Sequence, residues 1–327
     1  MTGPLATVII PTFNRPQYLA VAIESALAQT LRDFELVVAD DASTADVAGV
    51  VDRFHDKRIV FIRRSVNAGM ATNIWAALSG ARGRYVATLH DDDAWEPQFL
   101  EVTAHALETH ADVSVAFTDH WIMNGSGEVD LAATEMNTRM FRRSALTPGV
   151  HFPSAHLVVE WNAIPVAMAS LFRKSAIPWG EKPDEIGTFY DRWLGYLATR
   201  QSAVYYDPRR LTRYRVHSAS ETSTLKTTPV QRLRNARQGE ALWRRILEDA
   251  HGARVHDYVR QRHRRSIWRA ALMLAAHGER EQAHQLLEAS GSDMGAAEHA
   301  VLRCAIALPD TAVSGAMDMA EKLRHLW

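Results

Sequence analysis

Residues 83–93 read Gly83-Arg84-Tyr85-Val86-Ala87-Thr88-Leu89-His90-Asp91-Asp92-Asp93. Gly83 breaks a helical pattern that runs from about Ala71 to Ala81. Tyr85 to Leu89 is then a short, β-prone, apolar run of the kind that forms a buried strand. Three adjacent carboxylates close it. Two unit charges ~5–6 Å apart repel by about 3 kcal/mol at an effective dielectric near 20. Full solvation in an acidic turn relieves that repulsion, and so does a divalent cation, which favours hard oxygen ligands. The position at the carboxyl end of a strand, followed by Trp95 and Pro97, favours the cation.

The same grammar repeats on either side. Thr7 to Ile10 is a buried strand closed by Pro11. A helix starts at Pro16 with Asn14 as its expected cap, and Leu19, Ala22, Ile23, Ala26 and Leu27 give it one apolar face. Phe34–Ala39, Ile59–Ile62 and Val113–Phe117 read as further strands, and a helix runs from Pro97 toward His110. Strands alternating with helices imply an α/β fold, with a mostly parallel central sheet and helices on both faces. Ligands bind such sheets beyond the carboxyl ends of the strands. Those ends carry Pro11-Thr12-Phe13-Asn14-Arg15, Asp40-Asp41-Ala42-Ser43, and His90 to Asp93, with Asn67-Ala68-Gly69-Met70 and Asn73 after the third strand. One of Asp40 and Asp41 suits the turn itself, and the other suits a nucleobase ring N–H.

From residue 125 to 153 the pattern dissolves into an expected long loop with short elements. Beyond Thr224 the chain turns rich in Ala, Arg and Leu at helical spacing, so the expected division is a catalytic domain over 1–224 and a helical region over 225–327. Trp268 to Glu288 reads as a helical hairpin around His277-Gly278. The basic run Arg260 to Arg265 reads as the solvated face of a helix whose apolar side carries Val259, Ile267 and Trp268.

Lys and Arg total 37 against 38 Asp and Glu, a balance that argues against nucleic acid as a partner. The single cysteine, Cys304, forms no internal disulfide and is expected as a small buried residue in a reducing compartment. No signal peptide or apolar span of membrane-crossing length is evident. The expected location is cytoplasmic, with peripheral attachment at the inner face of a membrane as the variant that the basic run admits. Phosphate-binding Gly-rich loops, dinucleotide Gly triplets and Gly-x-Ser-x-Gly elbows are missing.

Four motifs in this order resemble family 2 of the inverting glycosyltransferases: Val8 to Arg15, Val37 to Thr44, Asn67-Ala68-Gly69, and Gly83 to Asp93. The resemblance covers roughly the first two-thirds of the chain and implies a GT-A fold. It implies inverting sugar transfer from a nucleoside-diphosphate donor, a UDP-sugar in preference to a GDP- or dTDP-sugar. The acceptor is a hydroxyl of a carbohydrate, lipid-linked or small-molecule compound, and Mn²⁺ or Mg²⁺ assists. Pro11, Thr12, Phe13, Asn14, Arg15, Asp40, Asp41, Asn67, Gly69, Asn73, Asp91, Asp92 and Arg215 are the implied nucleotide-sugar contacts. Asp92, Asp93 and His217 are the implied metal ligands. The segment Gly187 to Leu194 resembles the one carrying the catalytic base, which makes Asp191 that base; Tyr214-Arg215-Val216-His217 resembles the motif closing the catalytic domain, and Met168 to Arg173 the strand lining the acceptor side. The family usually reads Leu-Asp-x-Asp-Asp, so His90 stands where the first Asp is expected. Asp91 is the substitute for it, and the choice of metal ligand within residues 91–93 stays open. Two other readings compete. A nucleotidyltransferase needs a basic, Gly-rich loop after the first strand, where Pro11-Thr12-Phe13-Asn14 stands instead. A catalytically silent sugar-nucleotide-binding module has no need of Asp92, Asp191 and His217 together. The C-terminal helices are the expected surface for homo-oligomer formation.

Overall fold

The computed structural model describes residues 3–180, 182–217, 228–250, 254–290, 294–309 and 312–313. Contacts divide the chain into two compact units, Met1–His217 and Ser218–Trp327. The boundary expected at 224/225 lies outside the described residues.

The first unit contains strands β1 (Ala6–Thr12), β2 (Phe34–Asp40), β3 (Ile59–Arg63), β4 (Tyr85–Thr88), β5 (Ala94–Trp95), β6 (Val113–Met123), β7 (Gly149–His151), β8 (Ser170–Arg173) and β9 (Ala203–Arg215). They form one sheet in the order β3-β2-β1-β4-β8-β6-β9-β5, with β7 on β9. The block β3-β2-β1-β4 is parallel throughout. Strand β8 enters between β4 and β6, antiparallel to both, and β6 and β9 are again parallel. The helices are α1 (Pro16–Leu27), α2 (Val47–Asp52), α3 (Met70–Gly80), α4 (Phe99–Thr109), α5 (Leu131–Met140), α6 (Ala155–Val159) and α7 (Tyr190–Thr199).

Strands β1 and β2 are buried at every residue, which is why they read as continuous apolar runs rather than alternating ones. Val8, Ile10, Leu36, Val38, Ala87 and Leu89 share one core with Leu19, Ile23, Val47, Phe99 and Leu107 of α1, α2 and α4. The intervening residues Ile9, Val37 and Val86 point the other way. Helix α3 packs on β1, β2 and β4 and buries Ile74, Trp75 and Leu78. Each such side chain contributes about 1.5–3 kcal/mol on burial. Pro11, with no N–H to donate, sits beyond the last β1–β4 pair, Ile9↔Thr88, so the ladder loses nothing there.

Residues 125–153, expected as a long loop with short elements, include a ten-residue helix. They form α5, a 3-10 turn at Arg143–Ala145 and β7. Helix α5 buries its polar face. The Thr134 hydroxyl accepts from the Ile122 N–H at 2.9 Å, and the Thr138 hydroxyl donates to Asp119 Oδ2 at 2.7 Å. Leu131, Met136 and Met140 stand exposed. The helical period is therefore carried by hydroxyls, and a search for apolar spacing passes over it. Behind α5, Arg143 Nε donates to Asp119 Oδ1 at 2.7 Å, both residues being nearly inaccessible. Asn14 does not cap α1. Arg15 holds that position without a side-chain cap, and Asn14, at φ 57°, serves a neighbouring loop.

The second unit comprises α8 (Pro229–Asp249), α9 (His256–Ala276), α10 (Arg280–Ala289) and α11 (Ala296–Ile306). Leu233, Ile267, Ala270, Leu274, Leu287 and Leu302 are among its core residues. Val259, His263 and Ile267 are buried at four-residue steps across and beyond the basic run, so its arginines line the remaining faces of α9. Gly278, at φ 78°, breaks α9 from α10. Cys304 is exposed rather than buried, because Leu302 and Ile306 hold the inward face of α11. Among the described residues no helix is long and apolar enough to cross a membrane.

Removing Arg143 strands a buried Asp119 carboxylate, so Arg143→Ala should cost about 3–5 kcal/mol of stability. Urea unfolding followed by circular dichroism measures it. A loss under about 1 kcal/mol would mean that the pair stabilises no more than an exposed one.

Candidate active site

The parallel block brings the ends of β1, β2 and β4 to one edge, and the end of β9 reaches the same place. At the end of β4, Asp91, Asp92 and Asp93 are only 5%, 7% and 1% exposed. Burial pushes Asp91 up to about 7, against the pull of Arg15. Burial, and then the charge of Asp92, drive Asp93 well above its ordinary range. The neighbouring strands supply the compensation. From β1, the Thr12 hydroxyl donates to Asp91 Oδ2 at 2.8 Å. Arg15 Nη1 reaches Asp91 Oδ1 at 3.4 Å and Asp92 Oδ2 at 3.0 Å. From β9, the Arg215 N–H donates to Asp93 Oδ1 at 2.9 Å and its Nε to the Asp92 carbonyl at 2.7 Å. His217 Nε2 lies 3.0 Å from Asp92 Oδ2.

The second and third loops are clamped to each other. Asp40 Oδ1 accepts from the Ser43 N–H at 3.0 Å and from the Ser43 hydroxyl, which holds Ala42 at φ 62°, a backbone region costly for any residue with a Cβ. Asp41 Oδ1 accepts from the Ala68 N–H at 2.9 Å, and Oδ2 from the Gly69 N–H at 2.8 Å. Gly69, at φ 83°, is the residue type that this turn tolerates. Asn67 Nδ2 donates to the Asp41 carbonyl at 3.1 Å. Asn73 Nδ2 donates to the Ala39 carbonyl at 2.7 Å, and its Oδ1 accepts from Arg64 Nε at 3.0 Å. Asn14 Oδ1 accepts from the N–H groups of Thr44 and Ala45 at 2.8 and 3.0 Å, tying the first loop to the second.

Helix α7 meets the acidic strand end at its first residue. The Tyr190 hydroxyl lies 3.2 Å from His90 Nε2, and Asp191 follows Tyr190 in the first turn. Burial raises the Asp191 carboxyl above its ordinary value, opposed chiefly by Arg192. Burial lowers His90, while Asp92 and Asp191 pull it upward, so His90 feels both the acidic triplet and Asp191.

The fold, with its acidic strand end, is of the GT-A type. Residues 7–159, just under half of the chain, match the family model described as Glycosyl transferase family 2, so this segment carries that family's domain. A relative in Escherichia coli, the UDP-Glc:alpha-D-GlcNAc-diphosphoundecaprenol beta-1,3-glucosyltransferase WfaP, is 32% identical over 118 residues, 36% of this chain and 47% of that protein. The chain thus spans about half the length of that relative. Among solved structures, Staphylococcus aureus TarS 1–349 in complex with UDP-GlcNAc superposes with a TM-score of 0.62 at 16% identity, covering 92% of this chain and 90% of that one. The mannosyltransferase PcManGT from Pyrobaculum calidifontis, in complex with GDP-Man and Mn²⁺, gives 0.53 at 17% identity, over 99% and 88%. Both structural likenesses speak to the fold.

The residues expected at the site divide into two groups. Thr12, Arg15, Asp91, Asp92, Asp93, Arg215 and His217 meet around the end of β4. Asp41, Asn67, Gly69 and Asn73 hold loops, with Asn14 joining them and Pro11 closing β1. Phe13 stays exposed at 45%. Arg215 holds the backbone of the acidic triplet and the Gly125 carbonyl, at 3.1 Å. Tyr18 was missed. Its ring lies 5.1 Å from that of His217, and Arg215 lies over it at 5.2 Å. Its one signal in the sequence is an aromatic two residues after Pro16, hidden at an ordinary helical position. Tyr190 was missed as a contact of His90.

Hydrogen bonds to a charged acceptor contribute about 1.5–3 kcal/mol each. In Asp41→Ala the amides of Ala68 and Gly69 should therefore exchange with solvent at least tenfold faster, by about that free energy. Amide hydrogen exchange by NMR reads this directly. Unchanged protection at both amides would show that the loop is held by other contacts.

Proposed function

We propose that the chain transfers a sugar from a nucleoside-diphosphate donor to an acceptor hydroxyl with inversion, Asp191 acting as general base and a divalent cation assisting. The observation that supports this reading is that His90, next to the acidic triplet, meets the Tyr190 hydroxyl of α7 and feels the charge of Asp191, the next residue of that helix. WfaP is named for a UDP-Glc donor and a β-linked product. UDP-glucose is α-linked, so that relative's name describes inversion. A UDP-sugar is accordingly the favoured donor, and a lipid-linked acceptor suits the same likeness. In this reading the unit ending at His217 carries catalysis, and the helical unit tunes acceptor use or self-association.

Each residue's task follows from its setting. Asp40 Oδ2 is buried and takes no hydrogen bond among the described residues, with Arg63 Nε at 3.5 Å. It is the one oxygen of the Asp40–Asp41 pair left to accept from a nucleobase ring N–H. Arg15, beside Asp91 and Asp92, offers a positive charge suited to a diphosphate. The residues near the end of β4 suit a hard cation, because Asp93 Oδ2 is buried with no hydrogen-bond partner among the described residues and Asp92, with His217 3.0 Å from its Oδ2, adjoins Asp93. A cation held there supplies Lewis-acid stabilisation of the departing diphosphate. Asp191 takes the acceptor's proton as its oxygen attacks the anomeric carbon from the face opposite the diphosphate, and the fixed loops hold donor and acceptor in line.

Asp191→Asn keeps the shape and removes the basicity. Donor binding should be unchanged and kcat should fall by on the order of a hundredfold or more. The base works deprotonated, so wild-type kcat should be lost as pH falls through a value above the usual carboxylate pKa of about 3.9. Steady-state kinetics across pH, with NMR of the product's anomeric centre, test both points. Near-normal kcat in Asp191→Asn, or a product that keeps the donor's configuration, overturns the proposal.

A further inference from the structure

Resting on the metal-assisted reading above, we infer that His90 ligates the cation directly and that the resulting imidazole–carboxylate donor set makes this site select Mn²⁺ over Mg²⁺. The first ground is geometric. His90, Asp92 and Asp93 each offer one ligand atom, and these atoms all lie within 4.8 Å of one another. Two ligands about 2.0–2.2 Å from one ion are at most ~4.4 Å apart, so closure by a few tenths of an ångström seats an ion among all three.

The second ground is the state of the donors. Asp93 is 1% exposed. Its Oδ1 takes the Arg215 N–H, while its Oδ2 has no hydrogen-bond partner among the described residues. A buried carboxylate oxygen left in that state is costly, and a cation satisfies it. Asp91 lies outside the ligand group because Thr12 and Arg15 hold its two oxygens. Asp92 faces Arg15 and His217, each 3.0 Å from Oδ2, and so already sits in a place that attracts positive charge.

The third ground is orientation. A ligating imidazole is ordinarily fixed by an outer partner on its other nitrogen. The Tyr190 hydroxyl, 3.2 Å from His90 Nε2, is such a partner for ligation through Nδ1, and Tyr190 itself is 1% exposed in α7. Ligand chemistry then sets the preference. Mg²⁺ wants oxygen in near-ideal octahedral geometry and gives up water reluctantly. An imidazole nitrogen suits the later divalent ions better than it suits Mg²⁺.

The test uses the full chain with Mn²⁺ alone and Mg²⁺ alone. Calorimetry should give wild type a Mn²⁺ over Mg²⁺ affinity ratio that falls about tenfold in His90→Asp. Electron spin-echo modulation of bound Mn²⁺ detects directly ligated ¹⁴N. Because His217 also brings an imidazole, the decisive comparison is His217→Ala, which should keep a nitrogen signal, against the double variant with His90→Asp, which should lose it. The single His217→Ala variant decides the matter if His90→Asp fails to fold. A His217→Ala protein that binds Mn²⁺ without a nitrogen signal, or an unchanged affinity ratio in folded His90→Asp, removes His90 and leaves the metal-assisted reading standing. A wild type that binds neither ion, with or without UDP, overturns both.

Discussion

Three carboxylates packed at the end of one buried strand are the constraint around which this catalytic unit is arranged. Left alone, Asp91, Asp92 and Asp93 would repel one another in a place that water hardly reaches. Each neighbouring strand end answers that problem with a different group. The first strand brings a hydroxyl and a guanidinium, and the ninth brings a backbone N–H, a second guanidinium and an imidazole. The parallel register that aligns Thr12 with Asp40 is thus also the register that assembles the site. The orphaned oxygen of Asp93 is what a cation would settle.

Around this centre, much of the polar chemistry holds the loops in place. Asp41 fastens the turn after the third strand, Asn73 fastens α3 to the second, and Asn14 fastens the first loop to the second. A donor bound across three loops is positioned only as well as those loops are, and buried hydrogen bonds to carboxylate and amide oxygens fix them without a large side chain in the way. The unfavourable φ of Ala42 is held by the same network, as strain at functional turns usually is.

The parallel block was legible because each of its strands is apolar and each ends in a turn signal. The strands missing from that reading fail for physical reasons. The ninth, Ala203–Arg215, holds Asp207, Pro208, Arg209 and Arg210 at a register shift and is only half-buried, so no apolar run announces it. Helix α5 turns Thr134 and Thr138 inward and Met136 and Met140 outward, the inverse of the usual pattern. For the site, the residue types and their order were legible, whereas their partners were not. The resemblance implies ligand contacts at Asp41, Asn73 and Arg215, and the fold shows that their side chains also hold backbone. His90 looked like a departure from the family pattern, and the fold brings it together with Asp92 and Asp93. Contacts across 76 to 125 residues of chain leave no local trace.

The most direct test of the central claim is a crystal structure grown with UDP and MnCl₂, with diffraction measured for the anomalous signal of manganese. The account requires an anomalous peak bonded to Asp92 and Asp93 and to the diphosphate, with the Asp93 oxygen no longer orphaned. UDP bound at the strand ends with no manganese peak there, and Arg15 still bridging Asp91 and Asp92, would contradict it.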